Sequence, residues 1–531
     1  MGARARQARK ASVGNALPHD SAHLHVSGRA AYTDDLPEPR DLLHVAVGMS
    51  RKPHARLRAI DLGDVLAAEG VIDVCLATDI PGKNNCGPIV HDEAIFATDT
   101  VEYAGQAVFA VAANTVDQAR RAALLAKIDY EELEPVLDPL TAVEKGSFVL
   151  PSETLARGDA AAAIGNAPRR LQRRFTIGGQ DQFYLEGHIA MCLPQEDNGL
   201  LVYSSTQHPD EVQHLVAEAT GRAAKDVVCI CRRMGGAFGG KESQAATIAC
   251  MAALMTVKTG RPCKLRLDRD ADMIMTGKRH DFVVDYDVGF DDTGRILGVD
   301  FTFASRCGIS ADLSGPVNDR TMFHCDNAYF LENVSIVSHR CKTNTVSNTA
   351  FRGFGGPQGM VAIEYVIDDI ARTLGLDPLD VRRRNFYGIG ERDVTPYGQA
   401  IEDNILDVIA DKLEANADYR ARRAAIREFN ASSAILKRGI ALTPVKFGIS
   451  FTATHLNQAG ALVHVYKDGS VHLNHGGTEM GQGLFIKVAQ VLADELGVPV
   501  SAIRINAADT SKVPNASATA ASSGSDMNGK A

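Results

Sequence analysis

Residues 243–257 are apolar on nearly every side of a helix, and a helix without a polar face must be enclosed by other layers of structure. This region therefore belongs to a sizeable core. The stretch follows directly on Met234-Gly-Gly-Ala-Phe-Gly-Gly-Lys-Glu242, which places Glu242 at the helix N-terminus, where a negative charge gains only about 0.3–1 kcal/mol. Two more glycine-rich loops, Phe351-Arg-Gly-Phe-Gly-Gly-Pro-Gln358 and Gly477-Thr-Glu-Met-Gly-Gln-Gly483, also precede helix-forming sequence. Each joins backbone that can approach a ligand closely to one or two charged or aromatic side chains, a combination suited to a polyanionic cofactor and a flat substrate. None has the G-x-G-x-x-G dinucleotide register: Ala237 breaks the first loop, and Gln358 stands where the second would need its third glycine.

The 531 residues give room for two to four domains, and 45% hydrophobic with 23% charged residues is ordinary for a globular protein. A net charge of -9 argues against nucleic acid as the main partner. Segment 1–10 is basic but lacks a following apolar core, and no run approaches the roughly 18 apolar residues of a membrane span, so a cytoplasmic protein without membrane contact is expected. The ten cysteines are scattered, with Cys229-x-Cys231 the closest pair. They encode no zinc framework or ferredoxin-type cluster and are expected to be reduced core thiols.

Residues 15–140 read as a compact α/β unit containing a β-α-β element. Ala107 to Ala112 forms its first strand, a capping box at Thr115 and Gln118 opens a helix running to Lys127, and Ile128-Asp-Tyr returns as a strand. Residues 141–170, with Ala160-Ala-Ala-Ala163 and Pro168, lose periodicity and suggest a linker. A first larger domain is expected over 171–409, a charged helical connector over 410–438 and a further domain over 439–531. Alternation around Val299-Asp-Phe-Thr-Phe303 and Val463-His-Val-Tyr466 predicts antiparallel hairpins with turns at Asp291-Asp-Thr-Gly294 and Asp468-Gly469. Amphipathic helices are predicted over 209–219, 360–374 and 484–496, closed by Gly221, Gly375 and Gly497.

Single side chains carry weaker signals. Arg352 suits an oxyanion or a surface ion pair, and Phe354 among three glycines suits stacking or core plugging. His472-x-x-His475 has metal-like spacing, but on a strand the two rings point to opposite faces. His19, His23 and His25 cluster without a ligand spacing that favours metal over ordinary edge histidines. Composition alone makes 515–524 a disordered tail, and Ser525-Asp526 reads as a helix N-cap.

These motifs, together with Phe447-Gly-Ile-Ser-Phe-Thr452 and Leu456-Asn-Gln-Ala-Gly-Ala-Leu462, resemble the molybdenum-binding part of the xanthine dehydrogenase/aldehyde oxidase family, collinearly from about residue 15 to the last residue. The resemblance implies an α+β fold, an α/β hammerhead domain followed by molybdopterin-binding domains of mixed sheets and helices, with the domain at 439–531 incomplete. It implies that Gln207, Phe238, Arg352 and Ala521 lie next to the metal, and that Gly239, Met480, Gly481, Gln482 and Ala520 complete the cofactor's surroundings, ordering 515–524 around it. Phe354 and Phe451 would sandwich a purine, Glu242 would hydrogen-bond its ring, Arg320 would stabilise negative charge developing there, and Thr452 would help position it. The implied activity is hydroxylation of hypoxanthine to xanthine and of xanthine to urate. Electrons would pass to a separate subunit carrying [2Fe-2S] clusters and FAD, in a hetero-oligomer with NAD as acceptor. Aldehyde oxidases resemble the sequence too, but generally lack the Glu242 and Arg320 pair. The family's general-base glutamate belongs to a Gly-x-Gly-Glu-Pro-Pro-like motif that does not occur here, so poor turnover by these residues alone is expected, a non-catalytic cofactor- or partner-binding role being the alternative.

Overall fold

The computed structural model describes residues 12–531; the basic segment 1–10 lies outside them. Its largest element is an eight-stranded mixed sheet in the order Ala508–Asp509, Val227–Cys231, Leu200–Ser204, Ile189–Pro194, Cys263–Arg266, Leu43–Met49, Ala107–Ala113 and Val71–Leu76. Strands from early, middle and late sequence thus share one ladder. The joint between the early and middle parts is the parallel pairing of Leu43 with Cys263 and Val45 with Leu265. The apolar helix, Gln244–Thr259, lies on this sheet, and Ala249, Cys250, Met251, Ala252 and Ala253 are completely buried. Its lack of a polar face is explained by cover on every side. Helix Pro209–Thr220 packs beside it and stops at Gly221, whose left-handed backbone closes the last turn.

A second, five-stranded sheet runs Phe148–Arg157, Val334–Lys342, Ile296–Gly308, Phe282–Phe290 and Arg169–Ile177. Its inner face, with Phe282, Val284, Phe301 and Phe303, buries the apolar stripe of helix Gly356–Leu374. Both hairpin expectations hold: Phe282–Phe290 pairs antiparallel with Ile296–Gly308, and Ala461–Val465 with Val471–His475. Helix Leu484–Leu496 has its predicted bounds, whereas Gly356–Leu374 begins four residues before the predicted 360, because Pro357 is tolerated in a first turn.

Three expectations need correction. Residues 141–170 are no linker: they hold part of helix Pro139–Glu144, strand Phe148–Arg157, helix Ala160–Gly165 capped by Asp159, and the start of strand Arg169–Ile177. Those two strands are the edges of the five-stranded sheet and largely exposed, so they carry little hydrophobic alternation. The predicted β-α-β element keeps its local order and its Thr115 cap, but the helix spans Val116–Ala123, short of Lys127. Its flanking strands also belong to different sheets, Lys127–Glu132 pairing with Ala55–Asp61. Finally, the last helix begins at Gly524 behind Ser523 and has Asp526 in its first turn, so Ser525-Asp526 is not the cap.

Residues 410–438 hold most of helix Leu406–Asn416 and all of Tyr419–Ser432. All ten cysteines are buried and unpaired, and among the described residues no helix is long and apolar enough to cross a membrane. Under the first glycine loop lies a buried charged knot. Tyr184 Oη donates to Asp272 Oδ1 at 2.6 Å, the His188 N–H to Asp272 Oδ2 at 2.8 Å, and His188 Nε2 lies 3.1 Å from the Gly240 carbonyl. Burial works against the Asp272 charge, but His188 and these donors outweigh it and hold the carboxyl well below the usual range. Such a group stabilises the fold above its ordinary pKa of about 4 and loses that contribution as pH falls. Asp272→Asn should therefore cost roughly 3–5 kcal/mol at neutral pH in denaturant melts, with wild type and variant converging below about pH 4.

Candidate functional site

The three glycine loops meet through backbone hydrogen bonds. The Arg352 N–H donates to the Phe238 carbonyl at 2.8 Å, joining the second loop to the first, and the Met234 N–H donates to the Glu479 carbonyl at 2.9 Å, joining the first to the third. At their meeting point the Gln207 amide, 3% exposed, does two jobs. Its Oε1 accepts the Gly239 N–H at 2.9 Å, and its Nε2 donates to the Thr519 carbonyl at 3.1 Å, which leaves one amide hydrogen available. Thr519 N–H returns to the Gln207 carbonyl and Thr519 Oγ1 accepts from Thr478 N–H, so the Ser/Ala-rich segment is fastened by both partners. Its composition misleads because main-chain contacts order it.

Backbone conformation at this junction is unusual. Gly239 has φ of +98°, and a Cβ there would lie 2.8 Å from the Ala350 backbone, so only glycine fits. Phe238, Phe354, Ala521 and Ser522 also have positive φ, a state that costs roughly 1–3 kcal/mol each and persists where surrounding contacts dictate it. Phe238 is 41% exposed and Arg352 is exposed, while Met480 packs against Met234, Cys231 and Ala237. Gly481 and Gln482 are exposed at the loop tip, Gln482 Oε1 accepting the Met480 N–H. Ala520 and Ala521 are half-buried, and the Ala521 carbonyl accepts the Ser450 N–H.

Beside this junction lies a cluster of aromatic and charged side chains. The Phe354 and Phe451 rings sit 6.4 Å apart at 87°, edge to face. The Arg320 guanidinium lies 6.0 Å from Phe354 and 5.4 Å from Phe447, and donates to the carbonyls of Gly448 and Ser450 while its Nε stays unpartnered. Glu242 is 5% exposed, and no hydrogen bond reaches its carboxylate among the described residues. Burial pushes that carboxyl up to about 8; His208 pulls against the shift, Glu211 and Asp312 add to it, and Arg320 opposes it. Burial likewise lowers Arg320, with Glu242 offsetting part of the effect. Thr452 is half-buried next to Phe451.

Several further side chains at the junction belong to no motif of their own. His208 reaches both Glu211 and the Ala516 carbonyl, each at 3.2 Å, and Lys241, wholly buried, donates to Glu186 and Ser205. Glu479 uses its carboxylate to accept the N–H groups of Gly481, Gly483 and Phe485. The adjacency of His208 to Gln207 and of Lys241 to Glu242 was the available signal. His19 and His25 are ring neighbours, whereas His23 is exposed. His19, Asp20 and Glu479 bring ligand-type atoms within 4.8 Å. His19 Nδ1 accepts the Ser21 N–H, however, which leaves Nε2 to donate to Glu479, so the ring is a clasp on the third loop. His472 and His475 do lie on opposite faces of their strand, and the His475 ring packs on Phe485.

Gln207, Phe238, Arg352 and Ala521 offer an amide, backbone N–H groups and a guanidinium, and no thiolate, imidazole or carboxylate. Such a set lacks the donors that hold a transition metal directly, but fits the oxygens of a metal already held by an anionic organic ligand.

Residues 27–134 match the aldehyde oxidase and xanthine dehydrogenase a/b hammerhead domain, and 144–386 and 412–531 each match a molybdopterin cofactor-binding domain. The chain is 44% identical over 521 residues to the xanthine dehydrogenase/oxidase of Gallus gallus, and 43% identical over 524 residues to the xanthine dehydrogenase of Oryza sativa subsp. japonica. Each alignment takes in 98% of this chain and 38% of the relative, so the chain spans well under half the length of these relatives. In fold it is similar to quinoline 2-oxidoreductase from Pseudomonas putida 86, with a TM-score of 0.87 at 24% identity over 98% of this chain and 70% of that one. The aldehyde oxidoreductase from Desulfovibrio gigas gives 0.83 at 24% identity, over 95% of this chain and 57% of that one. With its hammerhead and two cofactor-binding domains in this order, the chain belongs to the xanthine dehydrogenase/aldehyde oxidase family of molybdenum-dependent oxidoreductases.

Proposed function

We propose that this chain supplies the purine and molybdopterin site of a xanthine dehydrogenase, acting on hypoxanthine and xanthine. The single observation that carries the reading is a buried, hydrogen-bond-free Glu242 and a desolvated Arg320 beside the edge-to-face rings of Phe354 and Phe451. A flat ring bearing both donors and acceptors satisfies that cluster, whereas a simple aldehyde would leave Glu242 unpaired at a cost of about 1–3 kcal/mol.

Gln207, the Gly239 backbone, Arg352, Met480, Gly481, Gln482, Ala520 and Ala521 would hold the cofactor and the oxygens of its metal. When bound, the molybdenum cofactor supplies the oxygen that enters the purine and takes up the electron pair. The chain's own part is then to bind and orient. Phe354 and Phe451 fix the ring plane, Glu242 in its neutral form donates to a ring nitrogen or oxygen, and Arg320 faces the ring where negative charge builds up. Electrons would leave toward an iron–sulfur and FAD partner subunit and NAD, in a cytoplasmic hetero-oligomer. Copurification with such a partner, followed by assay of urate formation and molybdenum content, tests the whole reading. Metal without urate would mean that these 531 residues bind cofactor and do not hydroxylate.

Substitutions at two residues test the pocket. Arg320→Ala should lower kcat/KM for xanthine by about 10²- to 10³-fold, as loss of a charge-stabilising donor does, and an unaltered rate would show the purine wall to be misplaced. Because burial pushes Glu242 up to about 8, its own contribution to xanthine affinity should be present below that pH and be lost above it. Glu242→Gln, which copies the neutral acid, should remove this alkaline limb in calorimetric titrations, whereas Glu242→Ala should weaken binding at every pH.

A further inference from the structure

Asp312 is 2% exposed, has φ of +36°, and stands just ahead of helix Ser314–His324, which carries Arg320. Its Oδ1 accepts the Ser243 hydroxyl at 2.5 Å, and that hydroxyl lies 3.2 Å from Thr349 Oγ1; its Oδ2 is buried without a partner. Ser243 is the residue after Glu242. One side chain thus spans from the end of the first glycine loop to the start of the Arg320 helix. The two residues before Asp312 are pinned from the other side: Ser310 Oγ donates to Glu93 Oε2 at 2.5 Å and lies 2.7 Å from Ser347 Oγ, and the Ala311 N–H donates to Asp92 Oδ2 at 2.8 Å. A non-glycine residue keeps a positive φ where its surroundings over-determine it, and here the two preceding residues and the side chain are held.

We propose that Asp312 is a positioning residue: by bridging the Ser243 hydroxyl to the start of the Arg320 helix, it sets the spacing of the two charged side chains, Glu242 and Arg320, in the purine pocket. The functional part of this inference rests on the purine reading; the bridge itself does not. The contact is also proton-sensitive. Burial pushes the Asp312 carboxyl up to about 7, Glu93 adds to the rise, and the Ser243 and Thr349 hydroxyls oppose it. Glu93 is itself raised by burial, with Asp92 adding. Below about pH 7 the bridge is neutral; above it, an ionised Asp312 adds negative charge near Glu93 and Glu242.

Hydrogen–deuterium exchange on the full chain tests the bridge without any purine. Asp312→Ala and Ser243→Ala are each expected to speed exchange in residues 239–244 and 313–318 together. Asp312→Asn, whose side-chain carbonyl still accepts from Ser243, is expected to keep both segments near wild type. Unchanged exchange in the alanine variants, or loosening of one segment alone, would overturn the bridge. Xanthine calorimetry then tests its consequence: at about pH 6, where Asp312 is neutral, affinity should fall roughly tenfold in Asp312→Ala and stay within roughly twofold in Asp312→Asn. Wild-type affinity should also step down as pH passes about 7, a step absent from Asp312→Asn, while the Glu242 step near 8 remains in both. A wild type that binds no xanthine refutes the purine reading and leaves exchange to decide the bridge. Normal xanthine affinity in Asp312→Ala refutes the positioning role.

Discussion

The Gln207 side chain makes two hydrogen bonds on which the rest of the site depends, one to the Gly239 N–H and one to the Thr519 carbonyl. Gln207 follows strand Leu200–Ser204 of the eight-stranded sheet, Gly239 belongs to the loop feeding the buried helix, and Thr519 is more than 300 residues along the chain. A neutral amide suits this task, because it donates and accepts at once and brings no charge that burial would penalise. Replace it with a carboxylate and the Thr519 carbonyl would face a second acceptor; replace it with an aliphatic residue and two buried polar groups would lose their partners. The loops are therefore held by a rigid sheet, and their unusual backbone conformations are paid for by contacts made elsewhere.

The same sheet explains why the parts do not behave as separate beads. The early segment contributes three of its strands and the late segment one, so the hammerhead match at 27–134 and the cofactor-binding matches share a ladder. The early segment reaches the site by a second route as well, since Asp92 and Glu93 grip residues 310 and 311 and His19 clasps Glu479. A disturbance in the early segment can thus alter the pocket without touching a pocket residue.

Helices were legible wherever periodicity and a closing glycine agreed, as at Gly221, Gly375 and Gly497, because those signals are local. Strands Phe148–Arg157 and Arg169–Ile177 were missed because an exposed edge strand needs no apolar alternation, and Ala160-Ala-Ala-Ala163 between them, read as linker, is a short helix capped by Asp159. In the site, the resemblance singles out Gln207, Glu242, Arg320 and Phe354 by residue type. Their partners are largely main-chain groups, such as the Thr519, Gly448 and Ser450 carbonyls, and a carbonyl's place in space leaves no mark in a sequence. Asp312 escaped notice for a related reason: its meaning lies in standing opposite Ser243, 69 residues away.

Burial makes the Glu242 and Arg320 pair informative. In water the two groups would be fully charged and cheap to hold apart; here each is pushed toward its neutral form, and no hydrogen bond joins them. An unbridged pair of this kind is costly unless something between them pairs with both, because a buried polar group left alone loses its hydration without recompense. Arg320 is braced by the Gly448 and Ser450 carbonyls and cannot collapse onto Glu242, and Glu242 is fixed at the mouth of a buried helix. The fold therefore keeps two desolvated polar side chains near one another, with Arg320 beside the edge-to-face rings of Phe354 and Phe451, and does not let them neutralise each other through a hydrogen bond.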